Sequence, residues 1–194
     1  MKLFPNKFFL ECQAKHSLYA YYVQDTLDWM ILYKLSRGEY EGKSRTSKRF
    51  ILLRMALECI LKAILIGLSK RDESAEEAYK AARNCGHNLE KLIKECKLRS
   101  EKRYRICSKE TMDRLCYIEK FRIGIRYNFD MKTADRSSIS KGVLDDNFHE
   151  EIYKDLSSFL KIVRRISYNR FLKHQAIRGD KLSELENHLH SLVK

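Results

Sequence analysis

The apolar positions between Arg49 and Ser69, RFILLRMALECILKAILIGLS, occupy nearly every side of a helix rather than a single stripe. At about 100° per residue, Phe50, Leu57, Leu61, Ile64 and Leu68 fall on one flank, and Met55, Cys59, Ala63 and Ile66 cover most of the other. A helix that is apolar all round belongs in a core. Arg54, Glu58 and Lys62 interrupt it at i, i+4 and i+8, which gathers three charges into one narrow line. The other helices are expected to wrap around this one.

Before it, residues 6–35 read as a long helix with Phe9, Cys12, Tyr19, Tyr22, Val23, Leu27, Met30, Ile31 and Leu35 on its apolar stripe. Tyr19, Tyr21, Tyr22, Trp29 and Tyr33 invite a base-stacking reading, but at helical spacing they fit core and rim packing better. Gly38 and Gly42 end this helix, and residues 38–44 read as a helix–helix connection. They imitate a phosphate-binding loop, yet only three residues separate the glycines and no strand precedes them.

After the central helix, Ser74-Ala75-Glu76-Glu77 forms a capping box for a short helix that stops at Gly86. Asn88 caps a second, Leu89–Leu98, which buries Leu89, Leu92, Ile93 and Cys96. The pattern then predicts a helix over Lys109–Phe129, packing through Met112, Leu115, Cys116, Ile118, Ile123 and Ile125. Residues 130–142 read as a polar loop. Asp145 or Asp146 caps a long helix to about Gln175, with Phe148, Ile152, Leu156, Phe159, Leu160, Val163, Ile166 and Phe171 on its buried side. Gly179 breaks the pattern. Leu182, Leu185, Leu189 and Leu192 then mark an amphipathic helix that docks on the bundle or on a second subunit. The expected fold is all-α: an up-and-down bundle of four to five long helices with short accessory helices. One domain spans residues 1–178, followed by the C-terminal amphipathic helix, residues 179–194.

Composition supports this reading. One proline and seven glycines in 194 residues leave too little turn chemistry for many strands. The net charge of +13 points to an anionic partner, although lysine-rich solvated faces give the same sum. Six cysteines without a CxxC pair fit reduced thiols. Glu11 follows Phe8, Phe9 and Leu10 directly, so no export signal is expected. Glu58 and Lys62 break the longest apolar run before it reaches the roughly 20 residues of a bilayer span. The expectation is a cytoplasmic protein with no membrane partner.

Among candidate sites, Cys85, His87 and Cys96 lack a fourth ligand at zinc spacing, and His188 and His190 lie on different faces of one helix, so neither a metal nor a cofactor is expected. No HExxH motif, paired-Asp nucleotidyltransfer signature or serine elbow occurs. Glu119, Arg122 and Arg126 share an arc, where Glu119 neutralises one arginine. The surplus arginine either finds a carboxylate on a neighbouring helix, such as Glu58, or holds an anion. Arg164, Arg165, Arg170, Lys173 and His174 make the far end of the last long helix strongly basic.

Taken together, Glu58 and Lys62 on an apolar helix, Gly86-His87-Asn88-Leu89 with Leu92, and Arg126-Tyr127 near the end of a later helix resemble the HEPN superfamily, the higher eukaryote and prokaryote nucleotide-binding domains. The resemblance spans roughly residues 10–170 and rests on the order and spacing of loose motifs. It implies a helical bundle, commonly a homodimer, that binds RNA or nucleotide and acts in defence or toxin–antitoxin systems, with a cognate nucleotidyltransferase or antitoxin as a further partner. The site residues it suggests are Glu58, Lys62, His87, Glu119, Arg122, Arg126 and Tyr127. Nuclease members of the superfamily carry an arginine and a histidine separated by four to six residues. Here the first histidine after Arg126 is His149, and Arg83–His87 and Arg170–His174 have three intervening residues. That departure argues against ribonuclease activity, because a missing imidazole costs a factor on the order of 10²–10⁴. Three readings stay open: a buried ion network that fixes helix register, an anion held by Lys62, Arg122 and Arg126, and catalysis at a non-standard site.

Overall fold

A computed structural model describes residues 7–36, 43–101, 103–121 and 142–169. They form α1 (Lys7–Leu35), α2 (Lys43–Gly67), α3 (Ala75–Asn84), α4 (Leu89–Ser100), α5 (Lys109–Glu119) and α6 (Asp146–Ser167), with no strand among the described residues. Three of these are long, at 29, 25 and 22 residues, and three short, at 10 to 12. The protein is an all-α helical bundle. Among the described residues no helix is long and apolar enough to cross a membrane.

The central helix lies where its pattern requires. Phe50, Leu53, Ala56, Leu57, Ile60, Leu61, Ala63, Ile64, Leu65 and Ile66 are all essentially inaccessible to water. α2 packs against α1, α6, α4 and α3, so it has neighbours all round. It begins at Lys43, so Lys43 and Ser44, expected in the connection over residues 38–44, belong to the helix.

Both short helices after α2 are tied down at their N-termini by glutamates from other helices. Ser74 and Glu77 form the expected capping box on α3, and Glu11 of α1 accepts the Ala75 N–H at 2.7 Å. Asn88 accepts the Lys91 N–H at the start of α4, while Glu119 of α5 accepts the Leu89 N–H at 2.8 Å. Gly86 between them has φ +60, the left-handed geometry that lets α3 stop and the chain turn.

Two expectations need correction. The helix predicted over Lys109–Phe129 stops at Glu119, where the N–H groups of Lys120 and Phe121 reach back only three residues, to Tyr117 and Ile118. Beyond that end the Phe121 ring is buried and packs edge-on against Phe50 and Tyr117. In α1, Leu35 is exposed and Tyr33 is buried, stacked on Tyr153 of α6. Other predicted features, namely the phosphate-loop mimic at residues 38–42, the helix end at Gln175 and the helix at residues 180–193, lie outside the described residues.

α6 supplies the second wall of the core and two buried polar groups that its apolar pattern did not reveal. Asp155 accepts from Thr111 Oγ1 at 2.7 Å and from Arg114 Nε at 2.7 Å, which locks α5 to α6. His149 is fully buried beside Phe50 and Tyr33, and its Nε2 lies 3.0 Å from the Val143 carbonyl. That carbonyl can only accept, so Nε2 carries the hydrogen and Nδ1 is left bare. Burial pushes the pKa of this imidazole down, with the Val143 carbonyl and Asp146 opposing the shift.

Gly67 sits where α1, α2 and α6 converge. A Cβ there would lie 2.7 Å from Ile166 Cγ2 and 3.0 Å from Tyr19 Cε2. Gly67→Ala is expected to lower stability by about 1–3 kcal/mol in urea titration, as overpacking does. For His149 the unfolded chain takes up a proton first. The stability contributed by its neutral form is therefore complete above the ordinary histidine pKa and is lost as pH falls below it. The stability gap between the wild type and His149→Leu should shrink from about pH 7.5 to about pH 5.5. A constant gap would mean that His149 does not titrate differently in the two states.

Candidate functional site

The line of charges along α2 determines which residues meet. Arg54 and Glu58 are buried and Lys62 is half-buried, although each lies on a helix whose other sides are packed with aliphatic groups. A buried charge needs a partner and hydrogen bonds to be tolerated. Glu58 finds one on its own helix, accepting from Lys62 Nζ at 2.7 Å, and another at the α3–α4 corner, where His87 Nδ1 lies 2.9 Å from each carboxylate oxygen. An ionised carboxylate can only accept, so Nδ1 carries the hydrogen and Nε2 is the free ring nitrogen. The Glu58 side chain is 4 % exposed and that of His87 59 %, so a buried anion holds an imidazole that faces water.

Arg54 completes the cluster from the other side. Its Nη2 donates to Glu119 Oε1 at 3.2 Å and to the His87 carbonyl at 3.3 Å. Glu119 spends its second oxygen on the Leu89 N–H. The chain Lys62–Glu58–His87 and the chain Arg54–Glu119–Leu89 therefore both end at the Gly86–His87–Asn88 corner and join α2, α4 and α5. Sequence reasoning missed the Arg54–Glu119 pair, having assigned Glu119 to the arginines on its own arc. Only the fold carries residue 119 to residue 54. The signal that could have found it was Arg54 itself, a guanidinium in an apolar helix one turn before Glu58.

Of the seven residues singled out in the sequence, Glu58, Lys62, His87 and Glu119 meet in this cluster. Arg122, Arg126 and Tyr127 lie outside the described residues. Two cations, Arg54 and Lys62, face two carboxylates, Glu58 and Glu119. The described part of the cluster is thus balanced in charge.

Aromatic groups of α1 flank the cluster. Lys62 Nζ lies 5.8 Å from the centre of the half-buried Tyr22 ring, a cation–π contact. Burial, with the carboxylates of Glu58 and Asp25 and the ionisable Tyr79 and Cys59 nearby adding to the shift, pushes the Tyr22 hydroxyl up to about 12. Burial pushes the neighbouring Cys59 thiol up to about 12 as well, with Asp25 and Glu58 adding to the shift and Lys62 and Trp29 opposing it. Both groups are therefore neutral near pH 7 and serve as packing and dipole, not as nucleophiles.

All six cysteines are free thiols. Cys85 and Cys96 donate to the carbonyls of Ala81 and Leu61, and His87 is committed to Glu58. Among the described residues no group of three or more His, Cys, Asp or Glu side chains is placed to hold a metal ion. No protein-family model, no curated protein and no solved structure matches this chain.

Removing the Glu58 charge leaves Lys62 without its carboxylate on a largely buried face. Glu58→Gln is expected to cost about 3 kcal/mol, the order found when one partner of a buried pair is lost. Glu119 is 21 % exposed at its side chain, so Glu119→Gln should cost less. Urea midpoints of the two variants provide the comparison, and a Glu58→Gln midpoint equal to wild type would show that the network does not secure the packing.

Proposed function

We propose that this chain is a HEPN-like helical protein that binds RNA or a nucleotide at the Gly86–His87 corner without cleaving it. It acts as a cytoplasmic homodimer in a prokaryotic defence or toxin–antitoxin setting, with a nucleotidyltransferase or antitoxin as cognate partner. The observation that carries this reading is the convergence of Glu58, Lys62 and His87. Three residues from two of the HEPN-like motifs, the Glu58/Lys62 pair and His87 29 residues after Glu58, form one hydrogen-bonded unit. Of its members only His87 is well exposed, so it is the one that meets a ligand.

Charge balance refines the roles. Lys62 is bound to Glu58 and Arg54 to Glu119, so neither is a spare cation for a phosphate. The surplus positive charge falls to Arg122 and Arg126, which follow Glu119 in the sequence. Arg122→Ala and Arg126→Ala should each weaken RNA or nucleotide binding by about tenfold or more, the worth of a charge-assisted hydrogen bond, without lowering the melting temperature. Affinity should also fall as salt rises. Calorimetry with a mononucleotide and a short RNA tests this, and undiminished binding in both variants would remove the proposal.

A second reading, ribonuclease activity, draws on the same imidazole. A carboxylate that fixes Nδ1–H leaves Nε2 as a base, the arrangement general acid–base catalysis requires. It expects RNA cleavage in the presence of chelator that disappears in His87→Ala. RNA that stays intact with the wild-type protein ends that reading.

A further inference from the structure

The last turns of α6 carry a second polar surface. Lys161, Arg165 and Asn169 follow one another at i, i+4 and i+8, and Arg164 and Tyr168 lie beside them. All five side chains are exposed, and Tyr168 is 65 % exposed. This ridge runs into the linker between α4 and α5, because Asn169 Nδ2 donates to the Tyr104 hydroxyl at 3.1 Å. Tyr104 is flanked in the chain by the exposed Arg103 and Arg105. Arg103 is paired with Glu101, whereas Lys161, Arg165 and Arg105 form no ion pair among the described residues.

We infer that this end of the bundle binds single-stranded nucleic acid, with phosphates on Lys161, Arg165 and Arg105 and a base stacked on Tyr168. The exposed Tyr168 ring one turn from Arg165 adds a free π face beside the cations. Aromatic faces between cations suit a strand whose bases are unpaired, since stacking needs a free π face and the backbone needs a positive track. An acidic polypeptide would use the cations and gain nothing specific from the ring. The surface is separate from the His87 corner: α4, which links the two regions, has 12 residues and a length of about 18 Å. It can hold a strand whether or not the corner holds a ligand.

Fluorescence polarisation with a labelled oligouridylate, using the full chain, tests the inference. The double variant Lys161→Ala/Arg165→Ala should weaken binding about tenfold and flatten the dependence of log affinity on log salt by roughly 1.4, the slope carried by two phosphate contacts on a single strand. Tyr168→Ala should weaken binding at least about fivefold while Tyr168→Phe retains it, because stacking needs the ring and not the hydroxyl. An abasic strand of equal length should bind less well than the oligouridylate. Unchanged affinity and salt slope in the double variant would overturn the assignment, as would loss confined to His87→Ala. Equal binding of the abasic strand would also overturn it by showing that no base is stacked, and equal binding of polyglutamate of the same charge would overturn it and point to an acidic polypeptide partner. Lys161, Arg165 and Tyr168 are exposed, so circular dichroism should report an unchanged fold in the variants at these positions.

Discussion

A carboxylate sealed inside an aliphatic helix is the constraint on which the rest of this structure turns. Glu58 cannot be left alone at 3 % exposure, because burying an unpaired charge costs several kcal/mol. Lys62 reaches it from one turn away, and His87 reaches it from the corner between two short helices. That second bond sets where α3 ends and α4 begins relative to α2. Arg54 and Glu119 extend the same logic to α5. An ionic arrangement thus ties α2 to the α3–α4 corner and to α5 alongside the aliphatic packing.

The N-termini of the short helices follow a related rule. Each exposes backbone N–H groups that its own residues cannot satisfy. Ser74 and Asn88 satisfy part of that need locally, and glutamates from other helices each accept one more N–H, Glu11 for α3 and Glu119 for α4. Glu119 therefore performs two tasks, as the partner of Arg54 and as an acceptor at the start of α4. Asp155 with Thr111 and Arg114, and His149 with the Val143 carbonyl, give α6 buried polar contacts of the same kind. The core is aliphatic, but its geometry is set by a few buried polar contacts.

Because the described cations of the central cluster are matched by carboxylates, the excess positive charge of the chain must reside elsewhere. Part of it lies along the end of α6, where Lys161 and Arg165 form no ion pair among the described residues. The corner and the basic ridge are therefore different kinds of surface. The described part of the first is a charge-balanced network with one exposed imidazole, and the second is a cationic track with no carboxylate partner among the described residues beside a tyrosine.

The sequence by itself determined the all-helical class, the central position of α2, the capping box at Ser74, the cap at Asn88 and the stop at Gly86. Each of these depends on residues within a turn or two of one another, so spacing suffices. The grouping of Arg54, Glu58 and Lys62 into one line was legible for the same reason, as was the meeting of Glu58 and Lys62 at i and i+4. Tertiary structure alone decided that His87 closes on Glu58, that Glu119 turns to Arg54, and that His149 is buried. It also ended α5 at Glu119, short of the helical pattern that ran on through the sequence. Those outcomes join positions from 29 to 99 residues apart, and no periodicity in the chain encodes which of several charged or aromatic groups a distant side chain will meet.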